Sequence, residues 1–367
     1  MPYPQFDRSK LIIKSLAQRP NKLIIEKDHV KPNQAPSPLT APAMKLMHET
    51  VTRIRKARQA GKPVVMAFGA HTIKNGLSPV LIELMEKGWI THLATNGAGI
   101  IHDWEFAYLG QSSEDVRTNV AHGEFGIWQE TGFYINLAIM IGAYEGLGYG
   151  ESVGKLIESE GMTIPAEANL MGEIHGLGMS EERMAAAADL LGTIRQLKLK
   201  PGRMTVPHPF KAYSAQAAAY RLGIPFTGHP MIGHDIIYNH PMNHGAAIGR
   251  TALRDFMSFT HSISQIQGGV YLSIGSAVMS PMIFEKALSM SQNLAIQAGH
   301  PINQHFIVVV DLAESTWDWQ KDGEPPKDNP AYYLRYCKTF NRMGGEMRYL
   351  NADNRDFLLT LSQMLET

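Results

Sequence analysis

Cysteine is almost missing from this chain: Cys337 is the only one in 367 residues. A single thiol excludes an internal disulfide framework and a thiolate metal cluster within one chain. Together with 20 methionines, whose thioethers persist where oxidants are scarce, it suits a reducing compartment. An excess of charge of either sign is also missing, since Lys plus Arg and Asp plus Glu both number 34. No Lys/Arg-rich block reads as a polyanion patch, so neither nucleic acid nor an anionic membrane is an expected partner. No apolar run approaches the ~20 residues of a membrane span, and the opening MPYPQFDRSK has no basic stretch followed by an apolar core. A cytoplasmic protein is expected. The GxGxxG fingerprint and the GxxxxGK[ST] phosphate loop are absent as well.

What is present is a large apolar fraction, 44%, enough for a substantial core. Residues 1–42 include KPNQAPSPLTAP, in which proline removes donors and fixes φ, so an extended arm is expected there. From Ala43 onward a single α/β domain over 43–367 is expected. A helix, AMKLMHETVTRIRKARQAG, is followed by the apolar run KPVVMAFGA, then by helix LSPVLIELMEKG and strand ITHLATNGA. Further strands are expected at RMTVP, IPFTG, GVYLSIG and FIVVVDLA. Helices of ten or more residues between short apolar strands indicate a Rossmann-like, doubly wound, mostly parallel sheet. Cys337, in the helical AYYLRYCKTF, reads as a packed thiol.

In such sheets ligands bind beyond the carboxyl ends of the strands. After VVMAF come Gly69, Ala70, His71 and Thr72, where a glycine permits close approach and a helix start favours an anion. After ITHLA come Thr95, Asn96, Gly97 and Gly99, with the charged triplet His102, Asp103 and Glu105 behind them. After GVYLSIG come Gly275 and Ser276, with Ser280 and Pro281 starting a helix; Ser280 reads as a helix cap in preference to a nucleophile. After FIVVVD, Asp311 and Glu314 precede a loop with Trp317 and Trp319, which either lids a pocket or packs.

The segment GHPMIGHDIIYNHPMNHG holds His229, His234, His240 and His244 beside Asp235. Three readings stay open. The donors suit a His/carboxylate site for a divalent ion, with His240 and His244 four apart. They also suit acid/base chemistry, with Asp235 orienting a ring, or plain loop structure. Arg250 and Arg254 downstream are either an anion clamp or surface ion pairs.

Taken together, KPVVMAFGAHTIKNGLSPVLIELMEKGWITHLATNGAGIIHDWE, IPFTGHPMIGHD, YLSIGSAVMSPMIFEKAL and DLAESTWDWQKDGEPPKDNPAYYLRY resemble deoxyhypusine synthase and its bacterial relatives, over residues 43–340. The resemblance implies a Rossmann-like domain that binds NAD, a homotetramer, and aminobutyl transfer through a lysine imine. It implies cofactor roles for Gly69 to Thr72 and for Thr95 to Gly99, where the family has a Thr-Ala-Gly-Gly-type turn, and for Asp103 and Asp311. It places Asp235 near a family aspartate. In SIGSAVMSPMI, however, Ser280 and Pro281 stand where the notable Lys-His pair of the family's Gly-Gly-Gly-Val-Xaa-Lys-His-His-Ile segment belongs. Lys286 follows six residues later, more than a turn away. Without an amine nucleophile the usual transfer is not expected. The expectation is a deoxyhypusine synthase-like protein, transferase-like or lyase-like, using NAD on a small polar metabolite with His234, Asp235, His240 and His244 as its acid/base set. The alternatives are a metal-dependent hydrolase or lyase, and a ligand-binding protein without catalysis.

Overall fold

The computed structural model describes residues 3–176 and 178–367. Its central sheet has six strands: β1 Val64–Phe68, β2 His92–Thr95, β3 Phe226–Gly228, β4 Val270–Ile274, β5 Phe306–Asp311 and β6 Glu346–Asn351. They lie in the order β6-β5-β4-β1-β2-β3, and every neighbouring pair is parallel. This is the 3-2-1-4-5-6 order of dinucleotide-binding sheets, with its switch point between β1 and β4. The expected Rossmann-like, parallel α/β sheet is therefore observed. All five residues of β1 are buried; Val64, Met66 and Phe68 enter one core while Val65 and Ala67 enter the other. A strand covered on both faces can be uniformly apolar, which is why VVMAF stands out in the sequence.

The helices that position the site are α1 Ala41–Gln59, α2 Gly97–Leu109, α3 Gln129–Glu145, α4 Tyr149–Glu158, α5 Ala215–Leu222, α6 Gly245–Ser264, α7 Met279–Gln297 and α8 Asn354–Glu366. In α1 the Thr40 side chain caps the first turn, and Met47, Val51 and Ile54 recur on one buried stripe. Each such side chain contributes about 1.5–3 kcal/mol by leaving water. The two cores lie on opposite faces of the sheet. Residues of α1, α2, α3, α4, α5 and α8 join one, while Phe259 of α6 and Phe284 of α7 join the other.

Three details differ from expectation. RMTVP contributes to strand Gly202–Thr205, but this pairs antiparallel with Gly161–Ile164 in a separate ribbon. β6 was not anticipated, because an edge strand with half its residues partly exposed lacks a continuous apolar run. Several stretches of the described residues before Ala41 pack on the body. Asn21–Ile24 pairs antiparallel with Gln111–Glu114, Leu16 and Ile25 are buried, and Arg8 donates to the carbonyls of Tyr238, His240 and Asn243 at 2.8, 3.2 and 3.2 Å. Proline prevented long elements there without preventing burial. Among the described residues no helix is long and apolar enough to cross a membrane.

Candidate functional site at the carboxyl edge of the sheet

At the switch point the loops after β1 and β4 meet backbone to backbone. Gly69 donates its N–H to Ile274 O at 3.0 Å, and a Cβ on Gly69 would lie 2.2 Å from Gly275 O. Gly275, at φ +53°, lies against the Asn354 side chain at the start of α8, and Asn354 reaches Thr72 Oγ1 at 3.5 Å. Thr72 is buried, whereas His71 is exposed and Ala70 is partly so. Ser276 is buried and accepts the Ser280 N–H. The partly exposed Asp311 ends β5 and accepts from the Ala313 N–H. These glycines thus serve loop-to-loop contact, and His71, Ala70 and Asp311 keep accessible surface.

The end of β2 is shaped in the same way. Thr95 donates from Oγ1 to Phe68 O at 2.9 Å, Asn96 caps α2 by accepting the Gly99 N–H at 3.0 Å, and the Gly99 Cα fits beside Thr95. Gly97 is where the strand ends converge with the histidine segment. A Cβ there would lie 1.9 Å from Asp235 Oδ2, so the Asp235 carboxyl rests on the first turn of α2. Burial pushes Asp235 up to about 7, against one hydrogen bond from the Ile237 N–H that favours the charged form. The hydroxyls of Tyr149 and Tyr238 are buried without a hydrogen-bond partner among the described residues. Burial raises both phenols, and the charge of Asp235 raises them further.

The charged triplet of α2 is structural. Asp103 is buried and accepts from Ser214 Oγ at 2.5 Å, Ser78 Oγ at 3.2 Å and the Ala215 and Gln216 N–H groups at 3.0 and 3.1 Å. It anchors the first turn of α5, and with its oxygens saturated it is not a cofactor contact as expected. Glu105 pairs bidentately with Arg19 at 2.8 and 2.7 Å. His102 bonds Ser112, which in turn donates to Glu105, and burial lowers His102 to about 4.

The histidine segment does not converge. His229 turns into the sheet edge. His234 is exposed. His240 faces Gln129 at 3.3 Å and takes the Met242 N–H on Nδ1, and burial lowers it to about 4. His244 begins α6, with Nε2 3.9 Å from Asp189. Among the described residues no three His, Cys, Asp or Glu side chains are arranged to hold a metal ion. The metal reading therefore finds no ligand set among the described residues; Asp235 and His240 flank the short 3-10 turn Ile236–Asn239, His234 precedes it, and His244 caps α6. Elemental analysis of purified protein is expected to find no stoichiometric divalent metal, and a chelator to leave the melting temperature unchanged; a lowered melting temperature would contradict this.

Other candidates resolve as packing. Ser280 is buried, donating to Ser273 Oγ at 2.8 Å and lying 2.9 Å from the Tyr271 hydroxyl. Lys286 is exposed beside Glu285. Arg250 pairs with Asp189 at 2.6 Å, and Arg254 pairs with Glu182 while donating to Ala143 O and Leu147 O at the end of α3. Trp319 is buried in the second core, Trp317 donates to Gly323 O, and Cys337 is buried with its thiol pushed up by desolvation. A groove of about 960 Å³ runs beside β3, between α4, α5 and α6, away from the loops after β1 and β4. At its wall Asp255, buried and raised by burial to about 8, accepts the Gly150 and Gly228 N–H groups and ties α4 to the edge strand.

No protein-family model matches the chain, and no curated protein matches it. Solved structures similar to it include AgrE in ternary complex with ornithine and NAD+, at 14% identity and TM-score 0.45, covering 90% of this chain and 34% of AgrE. ArgZ, an arginine dihydrolase from the ornithine-ammonia cycle in cyanobacteria, matches at 15% identity and TM-score 0.40, covering 88% of this chain and 32% of ArgZ. A conserved LOR/SDH protein from Methanococcus maripaludis S2 matches at 12% identity and TM-score 0.45, covering 92% and 72%. The chain spans about a third of the length of AgrE and ArgZ. None of these is a deoxyhypusine synthase, and at such scores function rests on the chain's own residues.

Proposed function

We propose that this chain is an enzyme that binds NAD at the carboxyl edge of the sheet and acts on a small polar metabolite, with Asp235 as its acid/base group. The observation that carries the reading is the Asp235 carboxyl, desolvated and raised to about 7, resting on Gly97 at the first turn of α2 in a sheet of 3-2-1-4-5-6 order. A carboxyl near neutral can both take and return a proton at working pH.

The donor set fits a dinucleotide in part. Asp311 can accept ribose hydroxyls, and the partly exposed Ala70 and exposed His71 leave surface at this edge for a polar ligand. Asp103, being saturated, takes no part. When bound, NAD supplies a hydride acceptor. The chain itself holds a proton at Asp235 beside Tyr149 and Tyr238, whose hydroxyls are buried without a hydrogen-bond partner among the described residues.

Kinship with deoxyhypusine synthase is proposed on the quoted segments and is compatible with the sheet order. It does not extend to imine chemistry at this position, since Ser280 is buried and Lys286 lies on the surface. Self-association, with a tetramer favoured, is proposed with it; the exposed Leu253 and Met257 of α6 and Met282 and Leu294 of α7 support it.

Calorimetric titration with NAD tests the reading. Saturable binding is expected, weakened about tenfold or more by Asp311→Ala through loss of a charged hydrogen bond. Absence of saturable binding to the unaltered protein sinks it; binding with no turnover of any metabolite would leave a binding protein.

A further inference from the structure

His229, which follows β3, is joined to Ser262 of α6 by an unbroken row of hydrogen-bonding side chains. His229 Nε2 lies 2.9 Å from Thr227 Oγ1. The same oxygen lies 2.9 Å from His92 Nε2. His92 Nδ1 lies 2.8 Å from Ser262 Oγ. His92 is fully buried and His229 is 8% exposed, while Ser262 on α6 reaches solvent. At the other end the His229 N–H donates to Thr95 O at 2.8 Å, beside the loop of Asn96 and Gly97. The ring of Phe259 packs edge-on against both imidazoles, at 5.6 and 5.3 Å between centroids, and keeps the row dry.

A hydroxyl carries one proton, so Thr227 donates either to one imidazole at 2.9 Å or, in a longer contact, to Leu93 O at 3.5 Å, in which case both rings donate to it as identical tautomers; the shorter distances favour an imidazole. If it donates to His92, His229 must donate to it, and the two rings are then opposite tautomers. We propose that His229, Thr227, His92 and Ser262 form a proton wire between the carboxyl edge and solvent, in which the two neutral histidines switch tautomer together.

The balance closes without a charged intermediate at rest. A proton arrives on His229 Nδ1, which forms no hydrogen bond among the described residues. The His229 Nε2 proton passes to Thr227, the Thr227 proton to His92 Nε2, the His92 Nδ1 proton to Ser262, and the Ser262 proton to water. Each N–H or O–H bond broken is matched by one formed, and reverse flow resets the chain. Burial agrees with neutral rings, since it lowers both histidines to about 3. A purely structural pair would need the same contacts but no switching.

The wire rests on the acid/base reading only for its use, to recharge or drain the group that works beside Gly97. Its existence is tested without any substrate, by heteronuclear NMR of labelled imidazole nitrogens at about pH 5, where an ordinary imidazole is charged. Both rings are expected neutral and complementary, one protonated on Nε2 when the other is protonated on Nδ1, with the His92 ring proton exchanging with solvent. In Thr227→Val the complementarity and the exchange are both expected to be lost, and Thr227→Ser, which keeps the hydroxyl, is expected to restore them. Identical tautomers in the parent protein, a charged ring at that pH, or unchanged exchange in Thr227→Val would each overturn the proposal. If Thr227→Val does not fold, Ser262→Ala blocks the outlet alone, and undiminished exchange at His92 in that variant overturns it equally. Failure of NAD binding would leave these readouts untouched, so the two ideas fail separately.

Discussion

Replacing Arg19 with alanine is expected to lower unfolding free energy by about 3–5 kcal/mol, the cost of leaving one partner of a buried ion pair uncompensated. The Arg19 and Glu105 side chains are 1% and 2% exposed and bond bidentately. Desolvation pushes the Glu105 carboxyl up, but the Arg19 guanidinium and its hydrogen bonds, with a further one from Ser112, overcome this and hold it below its ordinary value. Alanine leaves that carboxylate with the Ser112 and Thr131 hydroxyls alone. Urea denaturation measures the loss directly. Arg19→Met combined with Glu105→Leu should recover part of it, because the pair's desolvation cost disappears with both charges. A loss below about 1 kcal/mol for Arg19→Ala would mean that the N-terminal segment is not integral to the fold.

Asp235→Asn is expected to stabilise the protein at alkaline pH while removing its function. The folded value of Asp235 lies above its unfolded one, so the stability tied to its proton is present at acid pH and lost as pH rises through about 7. Asparagine carries no such charge. Stability curves for the two proteins should coincide near pH 4 and separate until about pH 7, then run parallel. The final gap is on the order of 2 kcal/mol once partial exposure is allowed for. Turnover of a substrate found by screening with NAD should fall about 10²–10⁴-fold, as for loss of a general acid/base. Infrared spectroscopy gives an independent reading: a protonated carboxyl band that titrates near 7 and is missing from the variant. A stability gap that does not open with pH would refute the assignment. A gap without an activity loss would place the proton transfer elsewhere.

Much of the scaffold was legible. VVMAF, ITHLAT, VYLSI and FIVVVD are strands because each is covered on both faces, so selection for burial leaves no polar alternation. The loops that follow them were correctly placed at the carboxyl edge. β6 was not legible, since EMRYLN has only two fully buried positions and reads like a loop. The site was legible in part. Asp235 was singled out by the resemblance and by the histidines around it, with which it shares no hydrogen bond among the described residues. Asp103 stood out as a charge behind a glycine turn, and its true role as an anchor for α5 involves Ser214 and Gln216, more than a hundred residues away. Arg19, His92 and Thr227 carried no signal, because no local spacing marks a pair such as Arg19 and Glu105 that is 86 residues apart.

Sequence alone therefore determined the α/β class and most strands of the sheet, and marked the loops that follow those strands, because hydrophobic periodicity and strand-end glycines are local properties. Only the tertiary structure decided which ionisable groups are buried and what they touch. The Asp235 carboxyl is raised by burial, and His229 is linked to Ser262 through side chains of β3 and β2. Desolvation and hydrogen-bond partnership depend on which distant segments close around a group, and that is settled only when the sheet assembles.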